Sequence, residues 1–380
     1  MGDRVFCKGH NLLQFNGPQE SWADWLQQIL AFGDFETIIL FGSERPAHIV
    51  ARDIAANANV DVISLEEGYI RPGFVTVETG GNNASSPLAG QVAETWKRNS
   101  EPPRNGEVYG SFRKAIFYGA LYYILRNLTT FGKRRGMFHR QTPLLQEAFY
   151  WARNLSRRVI GGERNFAKVQ QLLEHTDKRY YLVPLQVSSD ANLTRFASGW
   201  NSKRLISESI KSFATHAPPG TRLVFKIHPM DRGHNKLNPM INNVANACGV
   251  ASRVDIIDTG SLGLLTRHSA GMITVNSTSG LSAIFHGVPL MVLGKAIYAH
   301  EKLAMITADF DAFWTSTHVA SPELRQNYIQ WIKQEALKPG DFYSHIGMTV
   351  AAQSVFEKLQ EVSSPEALIA DTVIPMKAAS

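Results

Sequence analysis

Two polar segments stand where apolar, strand-like runs stop. In the first, Arg222–Phe225 leads into Lys226-Ile227-His228-Pro229. Pro229 prevents simple continuation of a central strand. His228 is therefore expected at the strand end, with Lys226 two residues earlier on the same face. A histidine there can bond a phosphate oxygen and stabilise charge building on a departing nucleotide, or it can be satisfied within the loop. In the second, Gly271–Val275 leads into Asn276-Ser277-Thr278-Ser279-Gly280. Leu281, Ile284 and Phe285 follow at helical spacing, so Ser277, Thr278 and Ser279 are expected near a helix N-terminus. Free N–H groups, the helix dipole and hydroxyl donors hold an anion at such a terminus. Ser and Thr also favour the position as ordinary caps. Gly287-Val288-Pro289 and another apolar run come next. The two segments read together as the leaving-group half of a nucleotide-sugar site and point to glycosyl transfer.

Two further clusters supply carboxylates. Gln186-Val187-Ser188-Ser189-Asp190 follows the run YYLVPL. Asp190 is either a carboxylate nucleophile or base, or a cap for the following helix. Glu66-Glu67-Gly68-Tyr69-Ile70-Arg71-Pro72 follows the run Val60–Leu65. Glycosyl transfer needs a group that takes the acceptor proton. A retaining route through a covalent intermediate needs a second carboxylate. Glu67 and Asp190 are the natural pair. A one-residue change of register exchanges Glu66 and Glu67. Arg71 either binds a substrate carboxylate or phosphate or pairs with Glu66 or Glu67. Asp309-Phe310-Asp311 has the DxD pattern of metal-dependent transferases but lacks a preceding apolar strand. It reads as a turn or helix start, and no metal is expected.

These residues need strand ends to hold them, and the chain supplies strands. Arg4–Lys8, Thr37–Phe41 and Val60–Leu65 are strand candidates in the first part of the chain. Trp22–Phe32 has helical spacing, and Pro46 suits the first turn of a helix running to about Asn57. This βαβ rhythm predicts a parallel sheet with helices on both faces. Residues 79–106, rich in Gly, Asn, Ser and Pro, read as loop. Further strands are predicted at Tyr180–Leu185, Arg222–Ile227, Val254–Ile257, Gly271–Val275 and Pro289–Leu293, with helices at Lys203–His216 and Leu237–Cys248. The fold class is α/β of GT-B type, two Rossmann-like domains facing across a cleft, with ligands outside the carboxyl ends of the strands. The expected domains are 1–175 on the acceptor side, 176–350 on the donor side, and a C-terminal helix (Ala351–Val362) with tail over 351–380.

The 380 residues suffice for two cores, and 44% hydrophobic with 19% charged residues is ordinary for a soluble enzyme. No run is long and apolar enough to span a membrane, and the N-terminal residues carry no signal-peptide pattern. Cys7 and Cys248 fit no metal motif and suggest a reducing, cytoplasmic setting. The net charge is +6, and its distribution matters more. Between Arg113 and Arg158 the chain is basic and aromatic, with Glu147 as its only acid. No nucleic-acid motif accompanies that charge. This basic helical region, about 107–160, is expected either to meet anionic lipid or an anionic lipid-linked acceptor, or to form a solvated insertion whose aromatics pack inward.

The blocks LEEGYIRPGFVTVETGGNNASS, YLVPLQVSSDANL, VFKIHP and VNSTSGLSAIFHGVPLMVLGKAIY together resemble the bacterial capsule polysaccharide synthesis and export family, in its KpsS-type branch of capsular β-Kdo transferases. The resemblance covers roughly residues 35–90 and 180–315. It implies a CMP-β-Kdo donor, used as substrate with no cofactor, and retaining transfer to a phosphatidylglycerol-type lipid. It places the protein peripherally at the inner face of the cytoplasmic membrane, with other capsule assembly proteins as partners and no nucleic acid. It implies that His228 and the Ser277–Ser279 loop hold the CMP phosphate, with Asp190 as nucleophile and Glu67 (or Glu66) as acid/base; Lys226, Asn276, Thr278 and Gly280 complete the expected donor site. Glu66, Gly68, Arg71 and Gln186 are the expected substrate-binding residues. The stretches Ala191-Asn192 and Tyr298–Lys302 depart from the family pattern.

Overall fold

The computed structural model describes residues 11–96, 107, 112–130, 137, 142–187, 190, 193, 195–234 and 237–362. The strand expected at Arg4–Lys8, Cys7, Ser188, Ser189, Ala191, Asn192, parts of the basic region and the tail after 362 lie outside the described residues. In chain order the elements are α1 (Trp22–Phe32), β1 (Thr37–Phe41), α2 (Pro46–Asn57), β2 (Asp61–Glu67), β3 (Phe74–Thr79), α3 (Phe112–Thr130), α4 (Leu144–His175), β4 (Tyr180–Pro184), α5 (Ser202–His216) and β5 (Arg222–Lys226). Then come α6 (Leu237–Ala247), β6 (Val254–Ile257), α7 (Leu262–Arg267), β7 (Gly271–Thr274), α8 (Gly280–His286), β8 (Leu290–Val292), α9 (Phe310–Phe313), α10 (Pro322–Glu335), β9 (Leu337–Pro339) and α11 (His345–Val362).

Two compact units result, one formed by residues 1–82, 101–138 and 332–380, the other by 83–100 and 139–331. This division departs from limits drawn at 175 and 350. The reason is tertiary: α4 turns its buried face to the second unit, and β9 returns to pair with β3.

The first unit holds a four-stranded sheet in the order β1-β2-β3-β9. Only β1 and β2 are parallel, and β3 runs antiparallel to both β2 and β9. The expectation of a parallel sheet therefore fails here. The chain reverses through a tight connection at Gly68, instead of crossing over by a helix. A side chain at Gly68 would meet the Phe74 carbonyl oxygen at 2.4 Å. Strand alternation buries Leu40 and Val62 against Ala51 and Ala55 of α2. Ile63, Val75 and Val77 lie instead with Ala351 of α11.

The second unit holds a five-stranded, all-parallel sheet in the order β6-β5-β4-β7-β8. Its strands are almost wholly buried, as a sheet covered on both faces requires. From β4 the chain winds outward through β5 to β6, then returns to the other side of β4 through β7 to β8. The winding direction thus reverses between β4 and β7, and crevices for ligands form at such a reversal, beyond the carboxyl ends of the strands.

Helix α4 is amphipathic in an inverted sense. Glu147, Asn154, Val169 and Leu172 are buried, whereas Leu145, Phe149, Leu155, Val159, Ile160 and Phe166 are exposed. The bland expectation for the basic region, aromatics packed inward, does not describe this helix.

Candidate functional site

Three of the polar segments stand side by side in the second unit, because β5, β4 and β7 are neighbours and their carboxyl ends point the same way. Gln186 follows β4, Asn276 follows β7, and the two side chains meet at the reversal point. Gln186 Nε2 donates to Asn276 Oδ1 at 2.9 Å and to Asp190 Oδ2 at 3.2 Å. The Asn276 N–H donates back to Gln186 Oε1 at 3.4 Å. Asn276 is fully buried and Gln186 nearly so, so their amide dipoles act in a low-dielectric setting. Gln186 therefore fixes one oxygen of Asp190.

Asn83 reinforces the same point. Its Nδ2 donates to the Asn276 carbonyl at 3.3 Å, and its Oδ1 accepts from Ile297 N at 3.1 Å. Asn83 has a left-handed backbone (φ 51°), which asparagine tolerates better than most residues. Asn83 lies in the 79–106 stretch that the sequence marks as loop, and no role was expected of it.

The Ser277–Ser279 loop differs from expectation in one respect. The backbone N–H groups of Ser277, Ser279, Gly280 and Leu281 are not free. Ser277 N donates to Thr274 Oγ1, Ser279 N to Ser277 Oγ, Gly280 N to the Ser277 carbonyl, and Leu281 N to the Thr278 carbonyl. Ordinary capping fails too: Ser279 occupies the N-cap position of α8 with helical backbone angles and no side-chain cap bond. Its hydroxyl is buried and has no hydrogen-bond partner among the described residues. An anion at this loop would therefore be met by hydroxyls more than by the helix terminus. Gly280 serves packing: a Cβ there would meet the Tyr298 ring at 2.4 Å. The fully buried Tyr298 donates its hydroxyl to the Ser277 carbonyl, and burial raises its pKa. Tyr298, outside the expected set, thus braces the loop.

Lys226 ends β5 and is 8% exposed. Its ammonium makes no hydrogen bond or ion pair among the described residues. Burial pushes its pKa below the ordinary lysine value; Asp258 opposes this and Arg232 adds to it. Asp258 is itself engaged, accepting from Arg232 Nε at 2.7 Å. His228 is exposed, and its Nδ1 accepts the Met230 N–H at 3.2 Å. A neutral imidazole held this way carries its proton on Nε2.

The acidic pair lies in the first unit. Glu67 lies on the same strand face as Ile63 and Leu65, Glu66 on the opposite one, since side chains alternate. Tyr343 Oη donates to Glu67 Oε1 at 2.9 Å, and Arg71 pairs with Oε2. Arg71 also donates from Nε to the Gly68 carbonyl at 3.1 Å. Of the two readings of Arg71, pairing with Glu67 is the one observed. Tyr343 was not expected from sequence, because its contact with Glu67 spans most of the chain.

Asp309 accepts from Asp311 N and Ala312 N as the N-cap of α9, and Asp311 accepts from Ser212 Oγ at 2.6 Å. The DxD pattern is thus a helix start.

Residues 36–343 match the family described as capsule polysaccharide biosynthesis protein. The chain belongs to this capsule polysaccharide biosynthesis family. Among curated relatives, the capsule polysaccharide export protein KpsS of Escherichia coli is 33% identical over 298 residues, covering 78% of this chain and 77% of its own. The capsule polysaccharide modification protein LipB of Neisseria meningitidis serogroup A is 28% identical over 360 residues, covering 91% and 84%. Among solved structures, the β-Kdo 2,7 transferase of Thermosulfurimonas dismutans KpsC superposes with a TM-score of 0.44 at 14% identity, over 94% of each chain. The family match takes in β4 to β8 and the segments at their ends, so the Gln186–Asp190, Lys226–Pro229 and Asn276–Gly280 segments all fall within family sequence.

Proposed function

We propose that this capsule family member is a GT-B-type retaining glycosyltransferase that moves Kdo from CMP-β-Kdo to a phosphatidylglycerol-type lipid in the capsule linker. The observation that carries the reading is the Gln186 bridge between Asn276 and Asp190 at the reversal point of a parallel sheet. A carboxylate oriented there, beside a buried cation and a histidine donor, suits attack on an anomeric carbon. In the first step the Asp190 carboxylate forms a bond to the anomeric carbon and the bond to the CMP phosphate oxygen breaks. His228 Nε2–H, Lys226 and the hydroxyls of Ser277, Thr278 and Ser279 stabilise the charge on that phosphate. In the second step an acceptor hydroxyl displaces Asp190, with Glu67 taking the hydroxyl proton. The motif resemblance to capsular β-Kdo transferases supports the donor.

A peripheral membrane location fits the same reading. No helix among the described residues is long and apolar enough to cross a membrane. Helix α4 exposes an apolar stripe near Arg158 and Arg164, and the one acid of the 113–158 stretch, Glu147, is buried. Apolar contact together with cationic flanks is what an anionic bilayer surface selects.

The test compares CMP-Kdo, CMP-sialic acid and CDP-glycerol as donors in the presence of lipid acceptor. CMP release from CMP-Kdo is expected, with transfer lost in folded Asp190→Ala and Glu67→Ala. Full transfer in both variants would remove the assigned roles. Preference for another donor would reassign the sugar, and a calorimetric titration without CMP binding would turn the protein into a glycolipid-binding export component.

A further inference from the structure

We infer that Asn154, on the buried face of α4, is a positioning residue that sets the tautomer of His228 through a single peptide group. The inference rests on the reading of His228 as a phosphate donor, and it assigns a task to a helix that the transfer chemistry leaves unused. The peptide linking Pro229 to Met230 is held from both ends. Asn154 Nδ2 donates to its oxygen, the Pro229 carbonyl, at 2.8 Å. Its N–H, that of Met230, donates to His228 Nδ1 at 3.2 Å. A peptide is planar, so fixing the carbonyl direction fixes the N–H direction. With Nδ1 held as acceptor, the neutral ring keeps its proton on Nε2.

Asn154 is itself well anchored. It is 5% exposed, and its Oδ1 accepts from Arg232 Nη1 at 3.4 Å. The segment after Pro229 is pinned to the same helix at further points. Arg157 donates to the Arg232 carbonyl, and His234 Nε2 lies 2.8 Å from Glu147 Oε1. Gly233 approaches so closely that a Cβ would meet the Tyr150 carbonyl oxygen at 2.1 Å. A simple structural role for Asn154 would affect stability alone; the role inferred here reaches a protonation site.

The experiment uses the full chain with 15N-labelled histidine at about pH 8.5, above the ordinary histidine range. The variant His228→Gln assigns the His228 signals. The wild type is expected to show the Nε2–H form. Asn154→Asp keeps the size and an acceptor for Arg232 but loses the donor to Pro229. It is expected to give a mixture of tautomers at His228 and to weaken CMP binding about tenfold, the change that 1.4 kcal/mol produces. Gly233→Ala displaces the segment with Asn154 intact and is expected to give the same signature, so the test survives if one variant folds poorly. Gln170→Ala, on the exposed side of α4, serves as control and leaves both readouts unchanged. An Asn154→Asp protein that retains the Nε2–H form overturns the inference, whatever its stability. A wild type that fails to bind CMP defeats the donor reading instead, and the tautomer readout still decides the role of Asn154.

Discussion

Replacing Lys226 by Met should make the ligand-free protein more stable and its nucleotide binding weaker. Lys226 is 8% exposed, its ammonium has no hydrogen-bond partner among the described residues, and Asp258, whose charge favours the ammonium, already accepts from Arg232. Burying such a charge costs on the order of several kcal/mol even after relaxation. Met fills a similar volume, so repacking costs under about 1.5 kcal/mol. A net gain of about 1–2 kcal/mol is expected, seen as a rise of roughly 2–8 °C in the unfolding midpoint of a unit this size. The loss appears on binding. A hydrogen bond to a charged group contributes about 1.5–3 kcal/mol, so CMP affinity should fall roughly ten- to a hundredfold.

The stability difference should also depend on pH. The folded-state pKa of Lys226 is lowered, so the folded form is penalised at neutral pH. The penalty fades as pH rises through the folded value toward the unfolded one. The wild type should therefore close the gap on the variant under alkaline conditions. Scanning calorimetry across pH, with titration of CMP into both proteins, measures all three effects. A Met variant that melts no higher than wild type and binds CMP as tightly would refute the idea that this ammonium is held in reserve for an anion.

Three other outcomes are expected. Gly280→Ala sets a methyl against the Tyr298 ring at 2.4 Å and should cost about 1–3 kcal/mol; thermal unfolding measures it, and Tyr298→Leu in the same chain should recover part of the loss. The pKa of His286 is lowered by burial and then by Arg267, Lys178 and His268; the unfolded chain then takes up the proton first as pH falls through about 6.5, so stability should drop there and His286→Asn should flatten the drop in pH-resolved melting curves. Val159→Ser with Ile160→Ser on the exposed stripe of α4 should reduce salt-sensitive flotation with phosphatidylglycerol vesicles; equal binding of the wild type to phosphatidylcholine vesicles would count against a charge-assisted surface.

The second unit was close to legible in the sequence, and physical reasons explain it. Its strands are short, apolar runs that stop at polar residues, and a parallel sheet brings every such stop to one edge. Val254–Ile257 coincides with its observed strand, and Gly271–Val275 overruns its own by one residue. Gln186, Lys226 and Asn276 fall at strand ends because of that regularity. The first unit was harder. Leu337-Lys338-Pro339 carries no strand pattern of its own, and its pairing with β3 joins residues far apart in the chain. Side-chain partners were illegible for the same reason: Tyr343 on Glu67, Tyr298 under Gly280 and Asn154 on Pro229 each come from a distant segment. The free N–H groups expected before α8 failed because a local pattern cannot reveal whether a turn closes its own hydrogen bonds.

The composition of the first unit from both ends of the chain has a consequence for biosynthesis. Strands β1 to β3 leave the ribosome before the second unit, whereas β9 and α11, which cover β3 and bury Ile63, Val75 and Val77, emerge after it. Chains are made at about 5–20 residues per second and their domains fold in order of appearance. The second unit is completed within that interval, while β3 waits with an open edge and an uncovered apolar face. Such an edge invites pairing with another nascent chain. A protein truncated after α10 should therefore be recovered as aggregate, even though the second unit would be intact.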